Sequence, residues 1–439
     1  MSQVREALRT LTAEVCRHVA SQAIPTAPVW TVVSHPDSVP HVALDIERPA
    51  LETLRSSLSI GLLNLPEYAV LATAVESDVE FSEGVVIDAG GFLAKPERTN
   101  TTRILVTNFL WRYLREGTQL DWDETRFTET YDELKTELRG KTVVFHWVSP
   151  LSNLKMNVPG LSFGDEMKIL PASPEELERW LNRDEGLGPL GPALPRWNSQ
   201  YIDSPAVMHR RKSIVGRPGP MDLSIAPDML PQTKEADAIT ALRLALNAPI
   251  SIMFHEQHSE GVMALGGGGT SWSWGTQPFR FGQVETLDEP KAAEVTRVWR
   301  LLQTSPNVDR LRVPIRRLES SLLRGSLEDR LIDAWISLEA LLLEGLDGEL
   351  SYRAALRLAS LVGGNGPDRK DIYDRTRDSY AWRSAIVHGS TPHRKLAKRL
   401  PLEKAIHITT DYLRTALLKV LELSHPFNPN RLEAELLGR

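Results

Sequence analysis

Cysteine is almost absent: Cys16 is the only one in 439 residues. A single thiol excludes an intrachain disulfide framework and any zinc site built on clustered cysteines. Long hydrophobic runs are missing too, since no apolar stretch approaches the ~18 residues that a membrane span needs. The opening "MSQVREALRTLTAEVCRHVA" scatters arginine and glutamate through a helical pattern and has no continuous apolar core. It therefore does not read as a secretory signal. Together these absences predict a soluble, cytoplasmic chain with no membrane partner. Positive charge is in deficit overall, 51 Lys and Arg against 57 Asp and Glu for a net charge of −6. That balance argues against a protein that coats nucleic acid with its whole surface.

The charge is unevenly spread. Residues 351–400 hold eleven Lys and Arg against four Asp, a local +7 that leaves −13 for the remainder. A basic segment on an acidic body attracts a phosphate backbone locally, and a solvated helical surface explains it equally well. The length accommodates two or three domains. The first ~200 residues mix strand and helix signals: "VWTVVS" and "TVVFHWV" are β-branched and aromatic runs, while "DETRFTETYDELKTELRG" has helical spacing. "SPEELERWL" carries a capping box, Ser173 with Glu176. "GLGPLGPALP" (186–195) and "GRPGP" (216–220) read as breaks. The helix "EADAITALRLALNA" follows, and then "ISIMFHEQ" and "TSWSWG" read as strands around "GGGG" (266–269). The expected fold is α+β. A mixed α/β domain spans 1–196, a linker and small α/β segment spans 197–285, and an all-α bundle spans 286–439.

The helical third is the clearest part. In "EDRLIDAWISLEALLLEG", Leu331, Ala334, Trp335, Leu338, Leu341 and Leu342 recur at helical spacing as one apolar stripe. "YRAALRLASLVGG" forms a second helix and "RKDIYDRTRDSYAWRSAIVHG" a third, stopped by Gly389 with Pro392 beyond it. "LEKAIHITTDYLRTALLKVLEL" forms a fourth, with Ile406, Leu413, Ala416, Leu417, Val420 and Leu421 inward. Four such helices with short connections describe a bundle.

The third helix concentrates chemistry. Tyr380, Ser384 and His388 fall at i, i+4 and i+8 on one face, Arg383 is one position off it, and Arg377 lies a turn earlier. Guanidinium, phenol, hydroxyl and imidazole together suit cleavage of a phosphodiester by its neighbouring 2′-hydroxyl. That reaction moves one proton off the nucleophile and another onto the leaving 5′-oxygen, and it builds charge on phosphorus. Imidazole titrates near neutral pH and carries protons, and arginine offers two-pronged donors to phosphate oxygens. The set calls for no metal and no cofactor. The same residues also serve a simple helix cap, and the spacing alone does not separate the two readings.

Other motifs are weaker. The histidines of "HEQH" (255–258) are three apart on a strand, whereas the zincin pattern needs four-residue spacing on a helix. "GGGG" lacks the Lys-Ser/Thr of a phosphate-binding loop and suits a hairpin tip. Asp121, Asp123 and Glu124 could imitate a two-metal site, but at a helix start they are explained by the dipole. "HRRK" (209–212) reads as a loop.

"RLIDAWISLEALLL…YRAALRLASLVG…IYDRTRDSYAWRSAIVHGS" resembles the Apea-like branch of the HEPN domains, whose closing element reads Y-x-x-R-S-x-I-V-H-G. Tyr380, Arg383, Ser384, Ile386, Val387, His388 and Gly389 all fall on that pattern, and the likeness covers about residues 285–400. "SPLSNLKMNVPGLSFGDEMKILPASPEEL" resembles, more loosely, the region often attached upstream. The resemblance implies a helical domain that pairs with its twin as a homodimer. Two Arg–His sets would meet at the interface in one endoribonuclease site, commonly in phage defence or beside an antitoxin. Carried over by position, Arg383 binds phosphate and His388 is the general acid/base. Ser384, Tyr380, Arg377 and Glu339 would support them, with Arg375, Arg394 and Lys395 holding RNA. Many active members carry Asn, Asp or His where this chain has Ser384. A tRNA loop is a natural substrate to test, because splayed nucleotides free the 2′-hydroxyl for in-line attack. A non-catalytic module that dimerises or holds RNA is the competing expectation.

Overall fold

Helices and strands are mixed up to Leu287, and helices alone follow among the described residues. The computed structural model describes residues 2–21, 29–33, 41–45, 64–82, 98–115, 121–139, 142–181, 205–215, 234–259, 271–274, 283–346, 348–390 and 394–436. In order these form α1 (Gln3–Ser21), β1 (Val29–Val33), β2 (His41–Asp45), α2 (Pro66–Ser77), α3 (Val79–Ser82), α4 (Arg98–Arg115), α5 (Glu124–Arg139) and β3 (Thr142–Met156). There follow β4 (Leu161–Phe163), β5 (Met167–Pro171), α6 (Pro174–Leu181), β6 (Pro205–Val215), α7 (Lys234–Leu246), β7 (Phe254–Ser259), β8 (Ser271–Trp274) and β9 (Glu285–Leu287). The rest is helical: α8 (Glu289–Thr304), α9 (Val308–Leu323), α10 (Leu327–Leu342), α11 (Leu350–Val362), α12 (Gly366–Val387), α13 (Arg394–Arg399), α14 (Leu402–Glu422) and α15 (Asn430–Leu436). The fold thus mixes helix and sheet, compatible with α+β. No described helix is long and apolar enough to cross a membrane.

Two compact units result, one of residues 1–150, 172–230 and 254–274, the other of 151–171, 231–253 and 275–439. The units are interleaved in sequence instead of following one another as three blocks. The reason is long-range pairing. Residues 151–171 and α7 find their partners in the second unit: Arg243 of α7 reaches Glu319 of α9 at 3.0 Å, and Ser152 N–H donates to Ser251 O at 2.8 Å.

In the first unit, α1, α2, α4 and α5 share one apolar core that includes Leu8, Leu11, Leu71, Phe109, Tyr113 and Phe127. Cys16 lies in it, and burial pushes its thiol pKa up. The capping box at the start of α6 forms as expected, Ser173 N–H donating to Glu176 Oε2 and Glu176 N–H to Ser173 Oγ. β7 runs antiparallel to β3 and β8, with His258 opposite His146 and His255 opposite Ser273. The breaks at 186–195 and 216–220, the "GGGG" tip and Pro392 lie outside the described residues.

In the second unit, β4 and β5 form a hairpin, and the end of β3 runs parallel to β9. From Asp288 to Leu436 the described residues hold helices and turns without strand. All six apolar residues of the α10 stripe are fully buried, and the inward set of α14 is buried to 1% or less.

Candidate functional site

α12 is held in rotation by a short buried polar chain. The Trp335 indole N–H donates to Ser379 Oγ at 3.0 Å, and Ser379 shares a hydrogen bond with Thr409 Oγ1 at 2.6 Å. Since Trp335, Ser379 and Thr409 are all buried, this link ties α10, α12 and α14 together and sets which face of α12 looks outward. Tyr380 then meets the Trp335 ring edge-on, with centroids 5.0 Å apart.

Arg383 lies one turn further along. Its guanidinium sits over the Tyr380 ring at 5.6 Å, and Nη2 lies 3.1 Å from Glu339 Oε1 on α10. Both side chains are about a quarter exposed, 23% and 25%, so solvent still reaches them. Burial raises the Glu339 carboxyl above the ordinary value, and the attraction of Arg383 only partly offsets it. The resemblance names Glu339 only as a supporting residue. The fold places it on the arginine.

His388 closes the helix. Gly389 adopts φ +62°, its N–H donates to Ile386 O, and Ser390 N–H donates to Ala385 O at 2.8 Å. This pair of backward bonds is a Schellman turn, and its left-handed φ at Gly389 favours a residue without Cβ. His388 is therefore presented as an exposed C-cap, next to Val387, which is 50% exposed. Ser384 is half-buried and accepts the His388 backbone N–H through its carbonyl.

The remaining supporting residue, Arg377, and the expected RNA contacts Arg375, Arg394 and Lys395 are dispersed. Arg377 is exposed and donates to Tyr373 Oη at 3.0 Å. Arg375 is engaged by Asp371 at 2.6 Å, and Arg394 and Lys395 open the short α13 on the surface. α13 is tied back to α12 by an Arg399–Asp378 ion pair.

Elsewhere the structure sorts the other motifs. Asp123 caps α5, accepting the Arg126 N–H at 2.8 Å, and Glu124 pairs with Arg9. His255 Nδ1 lies 3.0 Å from Ser149 Oγ, and burial lowers the imidazole pKa. Among the described residues, no three His, Cys, Asp or Glu are grouped to hold a metal. "HRRK" is not a loop: it lies within β6, where His209 reaches Glu176 at 3.5 Å and Arg210 covers the Trp147 ring. Buried Ala206, Val207 and Met208 anchor that strand, so pairing in the sheet overrides the local polar pattern.

Sequence reasoning missed Arg243 and Arg357. Each guanidinium is about 1% exposed and fully engaged, Arg357 by Leu342 O, Glu433 and Asn430. No local pattern marks such residues, because their side-chain partners Glu319, Glu433 and Asn430 lie 73 to 76 positions away. Compared with known proteins, the chain matches no family model, no curated protein and no solved structure.

Proposed function

We propose that the helical unit is a HEPN-type endoribonuclease that cleaves RNA without a metal, through 2′-hydroxyl attack, and works as a homodimer. One observation carries the reading. Arg383 is held on the surface by Glu339 and Tyr380, and His388 is held one turn on by the Schellman turn, exposed to any approaching strand. In the reaction, the 2′-oxygen bonds to phosphorus as its proton passes to an imidazole. The 5′-oxygen leaves and takes a proton from an imidazolium, so the products are a 2′,3′-cyclic phosphate and a 5′-hydroxyl. Arg383 stabilises the pentacoordinate phosphorus by donating to its equatorial oxygens. Two copies of His388, one from each protomer, supply both proton transfers, and the exposed Val387 beside them suits a face that a second copy covers. Phage defence, or control by an antitoxin or other regulator, fits such an activity.

A second reading has its own observation. The Glu339 carboxylate already sits on Arg383 and offsets its charge, which suits a non-catalytic module that dimerises or holds RNA. EDTA-treated protein incubated with tRNA decides between them. The nuclease yields cyclic phosphate ends, and His388→Ala slows cleavage by about 10²–10⁴-fold. Binding without cleavage by the wild type establishes the module instead.

A further inference from the structure

We infer a second RNA contact on α12: the groove between α11 and α12 stacks a base of single-stranded RNA on Tyr352, beside the Tyr373 ring and well away from His388. The inference rests on the reading of the unit as one that handles RNA, and it names where the strand is held. The groove has a volume of about 300 Å³, and Leu356 and Ala359 contribute to its lining. Tyr352 is 45% exposed, and its ring meets that of Tyr373 edge-on at 6.1 Å.

Cations frame these rings. Arg377 lies over Tyr373 at 5.9 Å, and Arg369 lines the groove from one turn earlier. The nearby carboxylates are mostly engaged: Asp371 by Arg375, Asp374 by Lys370 and Asp378 by Arg399. Arg369 and Arg377 hold no carboxylate among the described residues, and both are exposed. An exposed aromatic ring with cations beside it that hold no carboxylate is what single-stranded nucleic acid uses, bases stacking while phosphates meet guanidinium.

The register joins this groove to the candidate site. Arg369, Tyr373, Arg377, Tyr380, Ser384 and His388 follow one another by three or four residues. At the helical pitch they stay within about 100° of one face and span roughly 28 Å. One strand laid along that face reaches both ends. The groove therefore fixes the register of the RNA, and the Arg383–His388 end meets the phosphate to be cut.

The test uses the full chain carrying His388→Ala, so that the probe survives, and measures the anisotropy of a labelled single-stranded RNA. Tyr352→Ala is expected to weaken binding roughly 5- to 150-fold, the range for losing one stacked base, and Tyr352→Phe to restore it. Arg369→Ala is expected to reduce the salt slope by about 0.7, and because its guanidinium is exposed it reads the charge of the groove separately from the ring. Unchanged binding in both alanine variants overturns the inference, as does equal affinity for duplex RNA. Equal competition by an acidic polypeptide also overturns it and points to a protein partner. If the wild type binds in a Tyr352-dependent way yet never cleaves, the nuclease reading falls and the groove stands. If it cleaves and the groove variants bind as the parent does, only the groove falls. Absence of RNA binding by the parent removes both.

Discussion

Glu339 and Arg383, 44 positions apart in the chain, meet across α10 and α12 at 3.1 Å with neither side chain fully buried. The pair gives the arginine a fixed direction and leaves the carboxylate partly desolvated.

Removing either partner therefore has unequal results. Arg383→Gln strands a half-buried carboxylate whose pKa is already raised by burial, and it costs about 1–3 kcal/mol of stability at neutral pH. Glu339→Gln removes the charge that burial penalises, and its stability at neutral pH is expected to match or exceed the wild type. The sign follows from linkage. A carboxyl with a raised folded-state pKa contributes stability that is present below its ordinary value and lost as pH rises through the folded value. Urea midpoints from pH 4 to 7 should thus decline less steeply in Glu339→Gln than in the wild type. An unchanged profile rules this out.

Gly389→Ala places a Cβ at φ +62° and costs about 1–2 kcal/mol. Because Gly389 sets the Schellman turn that presents His388, cleavage should fall together with stability. Full activity in a destabilised Gly389→Ala protein would show that the turn does not position the imidazole.

Arg357 is bonded at 2.6 Å to Leu342 O, 2.7 Å to Glu433 and 2.8 Å to Asn430. Arg357→Ala leaves those acceptors unsatisfied around a cavity and is expected to cost about 3–5 kcal/mol. Chemical denaturation of the full chain reads the loss, and a change below 1 kcal/mol would mean that water replaces the guanidinium freely.

Acid sensitivity of the first unit is expected from His255. Burial lowers its pKa from the ordinary 6.5, so the folded state binds fewer protons than the unfolded chain. Its contribution is present above that ordinary value and is lost as pH falls toward the folded value. Native-state stability measured from pH 8 to 5 should drop in the wild type and drop less in His255→Gln. Parallel curves would assign the acid sensitivity to other groups.

The helical elements were legible because their signals are local. The α10 stripe from Leu331 to Leu342, the Ser173–Glu176 capping box and the stop at Gly389 each depend on residues within a few turns, and each forms as its spacing predicts. β6 was not legible at "HRRK", since a polar run becomes a strand only when a neighbouring strand pairs with it. The interleaving of the two units was likewise hidden, because it depends on where 151–171 and 231–253 find partners.

Short-range signals alone set the inward faces of α10 and α14, the stop at Gly389 and the shared side of Tyr380, Ser384 and His388 on α12. Helical period, capping chemistry and the φ demanded of Gly389 decide those matters over short range. Only the tertiary structure decided that Arg383 is met by Glu339, that Arg357 is enclosed, and that Tyr352 comes up against Tyr373. The physical reason is that a charge or a ring acquires its environment from groups brought in from distant parts of the chain. Desolvation and Coulomb attraction depend on that proximity and not on order along the sequence.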